Sequence, residues 1–287
     1  MRTVYATDAS IYKQLPLAVA YPKDKSDLKA LIRFATENNT SLIPRTAGTS
    51  LAGQCVGDGI VVDVSKHFTK IIELNVEEKW VLVEPGVVRD ELNTYLSEYG
   101  LFFGPNTSTA NRCMIGGMVG NNSSGTTSIK YGVTRDHVLE IQALLSDGSE
   151  ATFLKDNQTT HTIGFQHEIE NQLAQLLNEN GARQELINKS PKKSIHRRNT
   201  GYALDLLAED ENKLDLTQLL TGSEGTLAFT TAIKLNLDKL PPKNVTLVCA
   251  HFNSIHESME AVLVAMKAEP YACELMDKII LDCTKGN

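Results

Sequence analysis

The chain has 287 residues, enough for one large domain or two compact units, and its 41 % hydrophobic and 22 % charged content is ordinary for a globular protein. A formal net charge of −7 argues against nucleic acid as a partner, and no run of about 18 apolar residues is present to span a bilayer. The opening MRTVYATDAS lacks the apolar core of a signal peptide, and Cys55, Cys113, Cys249, Cys273 and Cys283 form no CxxC pair. This favours a reducing, cytoplasmic setting, leaves peripheral membrane attachment open, and excludes an iron–sulfur or zinc-ribbon site within this stretch.

Leu17–Tyr21 (LAVAY) reads as a short buried strand ended by Pro22. Lys25–Asn38 carries Leu28, Leu31, Ile32 and Ala35 on one helical face, with Asp24 or Ser26 placed to cap it. Ser41–Pro44 is a second strand, so the opening resembles a small β-α-β unit. A glycine-bearing loop, Arg45 to Gly59, leads to strands at Ile60–Val64, Thr69–Leu74 and Lys79–Glu84. Val88–Tyr99 reads as a short amphipathic helix. His137–Leu145 and Ser149–Leu154 are strands joined by the hairpin turn Ser146-Asp147-Gly148. Ile169–Leu186 has a helical pattern, Lys189–Arg198 is a basic loop, and Thr226–Leu237 is strand-like. Pro241-Pro242 is the best boundary in the chain. Beyond it a strand at Val245–Ala250 and a helix at Ile255–Lys267 open a new β-α unit, followed by Leu275, Met276, Ile279, Ile280 and Cys283 at helical spacing. A unit of about 45 residues buries little core alone. The chain is therefore expected to be a fragment, or its last segment to pack on the first domain.

Three stretches carry chemistry. Phe103–Val138 is rich in Gly, Ser, Thr and Asn between strand-like runs, yet Met114, Ile115, Met118, Val119, Ile129, Tyr131 and Val133 anchor it. A weakly structured segment of this length inside a compact domain is usually functional or disordered, and the anchors disfavour disorder. Pro44–Leu51 (PRTAGTSL) is a strand end followed by small and hydroxyl residues, whose exposed N–H groups could cradle a diphosphate; an ordinary strand-to-strand loop reads the same way. Gly222-Ser223-Glu224-Gly225 precedes a strand and could be no more than a turn. Neither GxxxxGK[ST] nor a strand-linked GxGxxG occurs. One extended dinucleotide would need several separate loops, which gives the three together more weight than each alone.

Taken together, PRTAGTSLAGQ, GPNTSTANRCMIGGMVGNNSSGTTSIKYGVTRDHV, NTGYALDLL and TGSEGTL resemble the FAD-linked oxidases and dehydrogenases of the vanillyl-alcohol oxidase/p-cresol methylhydroxylase type. Within these the chain is most similar to the D-lactate, glycolate and D-2-hydroxyglutarate dehydrogenases, including the large members fused to an iron–sulfur module. The resemblance implies an α+β fold: a p-cresol methylhydroxylase-type FAD-binding domain of two α/β subdomains over residues 1–240 (about 1–75 and 76–240), then the start of a substrate or cap domain, incomplete, over 241–287.

It also implies roles by position. Arg45, Thr46, Ala47, Gly48, Thr49, Ser50 and Leu51 would hold the FAD diphosphate through backbone amides, with Gly53 and Gln54 completing the loop. Pro105, Thr107, Ser108, Gly116, Gly117, Asn121 and Gly125 would line the diphosphate and flavin. Val138 would offer backbone groups to the adenine, and Glu224 and Gly225 would sit near the ribose. Some relatives attach the flavin through a histidine where this chain has Thr49, so the FAD is expected to be non-covalent. The implied reaction passes a hydride from a D-2-hydroxy acid such as D-lactate, glycolate or D-2-hydroxyglutarate to the flavin, with an iron–sulfur module or a quinone among the candidate electron acceptors.

Arg197 and Arg198 are the expected cations for the substrate carboxylate, in preference to Lys189, Lys192 and Lys193, and Arg135 is expected to be structural. No catalytic base is identifiable. His67, His137, His161, His167, His196, His251 and His256 form no HExxH or HxH arrangement, and no metal site is expected. Two rivals remain: an enolpyruvyl reductase, which lacks the combined NTGY and GSEGTL pattern, and an FAD-binding subunit or module without a complete active site of its own.

Overall fold

The computed structural model describes residues 1–155, 164–179, 181–192, 194–195, 201–210 and 213–285. Three strands, β1 (Ala18–Ala20), β2 (Leu42–Arg45) and β3 (Ile60–Asp63), form a parallel sheet in the order β1-β3-β2. Parallel neighbours need a crossover, and helix α1 (Lys25–Glu37) supplies the one between β1 and β2. Its N-terminus is fixed by Asp24, whose carboxylate accepts from the N–H groups of Ser26 and Asp27. Leu28, Ile32 and Ala35, one helical face, are buried.

The chain enters a second sheet after Asp63. β4 (Ile71–Asn75), β5 (Trp80–Val83), β7 (Val138–Leu144), β8 (Glu150–Leu154) and β9 (Phe229–Asn236) pair antiparallel in the order β4-β5-β9-β7-β8. The two short strands β6 (Leu101–Phe102) and β10 (Asp238–Lys239) pair at its margin. β4 thus pairs in the larger sheet. The β7–β8 turn forms at Gly148, where φ is +84°. At the free edge of β8 the amide of Gln166 accepts from the Thr152 N–H (3.1 Å) and donates to its carbonyl (2.9 Å), imitating one rung of a further strand.

Two apolar clusters hold the structure. One joins Val81, Val83, Ile141, Ile233 and Leu235 of the larger sheet to helix α2 (Arg89–Ser97) and helix α3 (Ile115–Asn121). The other joins Leu28, Ile32, Ile60 and Val62 to Leu144 and Phe229 of the larger sheet, so the two sheets share a core. The stretch expected to be a polar bed is shaped by α3 and two single-turn helices, α4 (Ser128–Tyr131) and α5 (Thr134–His137).

Two expectations fail. The helix expected over Ile169–Leu186 is two helices, α6 (Phe165–Asn178) and α7 (Ala182–Lys189), divided at Gly181, whose φ of +81° a right-handed helix cannot contain. The strand expected at Val245–Ala250 does not form: among the described residues that run has no hydrogen-bonded neighbour, and a strand exists only in a ladder. After Leu204–Ala208 (α8) and Leu216–Leu220 (α9), the expected helix near residue 255 is present as α10 (Ile255–Ala265), capped by the Ser254 hydroxyl. The final apolar run contributes α11 (Lys278–Cys283).

Candidate cofactor site

A cavity of about 560 Å³ opens where the two sheets meet, a volume suited to a small-molecule or cofactor ligand. Three loops from distant parts of the sequence build its walls: residues 45–55 after β2, residues 107–124 around α3, and residues 223–225 before β9. Val64 and Phe229 contribute apolar surface between them.

The loops are tied to each other in pairs. The Gln54 amide donates to Asn121 Oδ1 at 3.3 Å, and Asn121 donates on to Ser123 Oγ at 3.0 Å. The N–H groups of Gly222 and Glu224 donate to the carbonyls of Val119 and Gly120, both at 2.9 Å, which satisfies the end of α3. Gly225 lies against Pro44, and a Cβ there would stand 3.1 Å from the proline ring. Arg135, buried on α5, completes the scaffold behind the third loop. Its Nε donates to the Gln218 carbonyl at 3.1 Å and its Nη2 to that of Thr221 at 2.5 Å, the structural role expected of it.

Three features fit a phosphate-bearing, polar ligand. Among the described residues the N–H groups of Thr46 to Leu51 donate to no protein acceptor, an arrangement typical of an anion cradle. Gly117, in the first turn of α3, faces Thr46 so closely that a Cβ would lie 2.6 Å from Thr46 Oγ1. Among the described residues the cations on the walls are Arg45 and Arg112, against a single carboxyl, Glu224. Burial pushes the Glu224 carboxyl up from its usual 4.5 to about 7, against a hydrogen bond with Gln54 that lowers it. Glu224 also holds φ +56°, a left-handed conformation uncommon for a side chain of its size.

A family model described as an FAD binding domain matches residues 16–153. Residues 16–153 are an FAD binding domain. The chain is 39 % identical over 297 residues to the D-2-hydroxyglutarate dehydrogenase of Escherichia coli and 36 % identical over 296 residues to that of Haemophilus influenzae, in each case across 99 % of this chain and 28 % of the relative. It therefore spans little more than a quarter of the length of these relatives. A solved structure of alkyldihydroxyacetonephosphate synthase is similar in fold, with TM-score 0.56 and 16 % identity over 88 % of this chain and 38 % of that one.

Within and beyond the FAD binding domain, the cavity gathers Arg45, Thr46, Gly48, Thr49, Ser50, Leu51, Gln54, Thr107, Ser108, Gly116, Gly117, Asn121, Glu224 and Gly225 from the residues singled out by sequence. The other five lie off its walls. Ala47 is not among the lining residues, and Gly53 packs on the Tyr12 ring. The Pro105 carbonyl accepts from Arg89 Nε at 3.1 Å. Gly125 presses on the Asn106 carbonyl, where a Cβ would collide. Val138 is fully buried at the start of β7. Arg197 and Arg198 lie outside the described residues.

Arg112 is a wall residue that sequence reasoning passed over. It sits on the compact turn 107–113, where its own N–H donates to the Thr109 carbonyl at 2.8 Å, and its guanidinium bonds the neutral Asn111 amide. The available signal was a cation inside an otherwise neutral hydroxyl-rich run, TSTANRC.

No helix of the described residues is long and apolar enough to cross a membrane. No three His, Cys, Asp or Glu side chains among the described residues cluster as metal ligands would.

Proposed function

We propose that this chain is the FAD-binding part of a flavoenzyme that oxidises a D-2-hydroxy acid, D-2-hydroxyglutarate first among D-lactate, glycolate and their kin. The observation that carries the proposal is the meeting of three sequence-distant loops on one cavity, in a chain aligned over 99 % of its length with D-2-hydroxyglutarate dehydrogenases. Residues 1–240 form the FAD-binding unit, in two subdomains built on the two sheets, and 241–287 open the substrate domain. The setting is cytoplasmic, with an iron–sulfur module or a quinone as electron acceptor.

Bound FAD supplies the two-electron acceptor for the oxidation. The chain's own residues bind and orient it. The free amides of Thr46 to Leu51 hold diphosphate oxygens, and Arg112 adds positive charge to the opposite wall. Gly116 and Gly117 let the start of α3 close on Pro85 and Thr46, which sets the helix against the first loop. Met118, Val64 and Phe229 exclude water from the inner wall. Glu224, its carboxyl pushed up to about 7 by burial, is half protonated near neutral pH, and in that form it donates to a ligand hydroxyl or carbonyl instead of repelling phosphate. Thr49 cannot attach the flavin as a histidine would, so the cofactor is non-covalent.

A second reading, an FAD-binding module without its own complete site, draws support from the walls themselves: among the described residues no histidine lines the cavity, and Glu224 is its one carboxyl.

Titration of the purified chain with FAD, followed by flavin fluorescence, tests the first claim. Saturable binding is expected, weakened at least about thirtyfold by Gly117→Val, whose side chain would collide with Thr46 on the first loop, a cost of roughly 2 kcal/mol. Equal binding by both proteins, or none by either, would reject the site. Dye reduction by the FAD-loaded chain with D-2-hydroxyglutarate favours the enzyme reading, and FAD binding without turnover favours the module.

A further inference from the structure

The cavity's first loop is held by residues that precede the FAD binding domain. Residues 1–15 lie outside the matched stretch 16–153, yet they pack against the loop at 45–55, and Ala9 reaches the cavity wall. Arg45 Nη1 donates to the carbonyls of Thr7 (2.9 Å) and Tyr5 (3.4 Å), and its guanidinium carbon stands 5.1 Å from the centre of the Tyr5 ring. The side chain so held passes beside Gly48, where an added Cβ would meet Arg45 Nη2 at 2.5 Å. That crossing suits Gly48, whose φ is +66°, and no residue with a side chain. Further along, the Tyr12 ring lies under Gly53, leaving no room for a Cβ there: Tyr12 Cδ2 would be 2.9 Å away.

The strap is itself anchored on the parallel sheet. The Tyr5 hydroxyl donates to Asp63 Oδ2 at 2.6 Å and accepts from the Tyr21 hydroxyl at 2.8 Å. Asp63 ends β3 and is buried. Burial, and secondarily the hydrogen bond to Asp63, push the Tyr5 phenol well above its ordinary value, so it remains a donor throughout the range in which the protein is handled.

We propose that residues 1–15 are a positioning strap: Tyr5, through Arg45, and Tyr12, through Gly53, hold the 45–55 loop in the shape that turns its free amides into the cavity. The physical ground is the cost of order. Amides that donate to nothing in the protein gain nothing from their own conformation, so a loop presenting them needs support from outside, and a loop ordered in advance binds more tightly than one ordered by its ligand. The reading rests on the cofactor site proposed above but is tested separately from it.

The test compares the whole chain with Tyr5→Phe, Tyr12→Ala and Tyr12→Phe, and with Tyr99→Ala as a distant control. Two quantities are read: amide hydrogen exchange of residues 46–54 without ligand, and FAD affinity. Tyr5→Phe and Tyr12→Ala are expected to speed exchange in that loop at least about fivefold while β7 and β9 keep their protection. Both are expected to weaken FAD binding about tenfold, chiefly by faster release. Tyr12→Phe keeps the ring and restores both quantities, and Tyr99→Ala changes neither. Unchanged loop exchange in Tyr5→Phe and Tyr12→Ala overturns the proposal, as does faster exchange with FAD affinity held within twofold. If the unaltered chain binds no FAD, the cofactor reading fails, and loop exchange alone decides whether the strap holds the loop.

Discussion

In β9 every second side chain from Phe229 to Leu235 is buried, while a few residues later Val245, Leu247 and Val248 stand 79, 87 and 82 % exposed. Both runs are apolar enough to be read as strands. What separates them is the ladder: β9 lies between β5 and β7 and is hydrogen-bonded on both sides, whereas residues 245–250 have no strand neighbour among the described residues. The same holds for helices. α1 buries Leu28, Ile32 and Ala35 against the parallel sheet, but α10 leaves Ile255, Met259 and Leu263 more than half exposed. An apolar pattern specifies a face, and only a partner turns a face into core.

One substitution made in both regions should separate them most sharply. Leu235→Ala, at a side chain with no exposed surface, is expected to destabilise by about 2–5 kcal/mol in urea unfolding. A cost under about 1 kcal/mol would mean that the larger sheet is less tightly packed than it appears from burial.

A smaller effect is expected at the cavity, between the two extremes. Glu224 has its pKa raised from 4.5 to about 7 by burial, so the ligand-free folded protein holds this proton more tightly than the unfolded chain does. Its contribution to stability is present below 4.5 and is lost as pH rises through that window to about 7. Glu224→Gln should flatten that part of the melting-temperature profile. A parallel downward shift with the slope intact would assign the slope to another group.

The smallest effect belongs to the exposed run. Leu247→Ala should change unfolding free energy by no more than about 0.5 kcal/mol. A loss comparable to that of Leu235→Ala would show that residues 245–250 are covered in solution and would erase the contrast.

Local chemistry was readable from sequence where one residue decides the outcome. Asp24 begins α1, and Asp147-Gly148 makes the hairpin. The break at Gly181 was hidden because Leu173, Leu176, Leu177 and Leu186 keep an apolar rhythm across it. At the site, the three loops were legible as glycine-bearing turns after or before strands. Their mutual contacts were not: Gln54 and Asn121 are 67 positions apart, and nothing local in either announces the other. The strap was invisible for the same reason, since Tyr5 and Tyr12 read as ordinary aromatics until Asp63 and Gly53 are brought against them.

The central place of β9 sets an order of assembly during synthesis. β4–β5 and β7–β8 can each close as a hairpin once residue 154 has left the ribosome, but the strand that joins them is not made until residues 229–236. Until then β5 and β7 each present an open edge, a hazard for pairing with other chains. Folding of the larger sheet is thus committed late, at long sequence separation, and is expected to be slow for a chain of this size. The cavity shares that timing, because its third wall, Ser223 to Gly225, arrives just ahead of β9. A nascent chain acquires a complete cofactor bed only when its sheet can close.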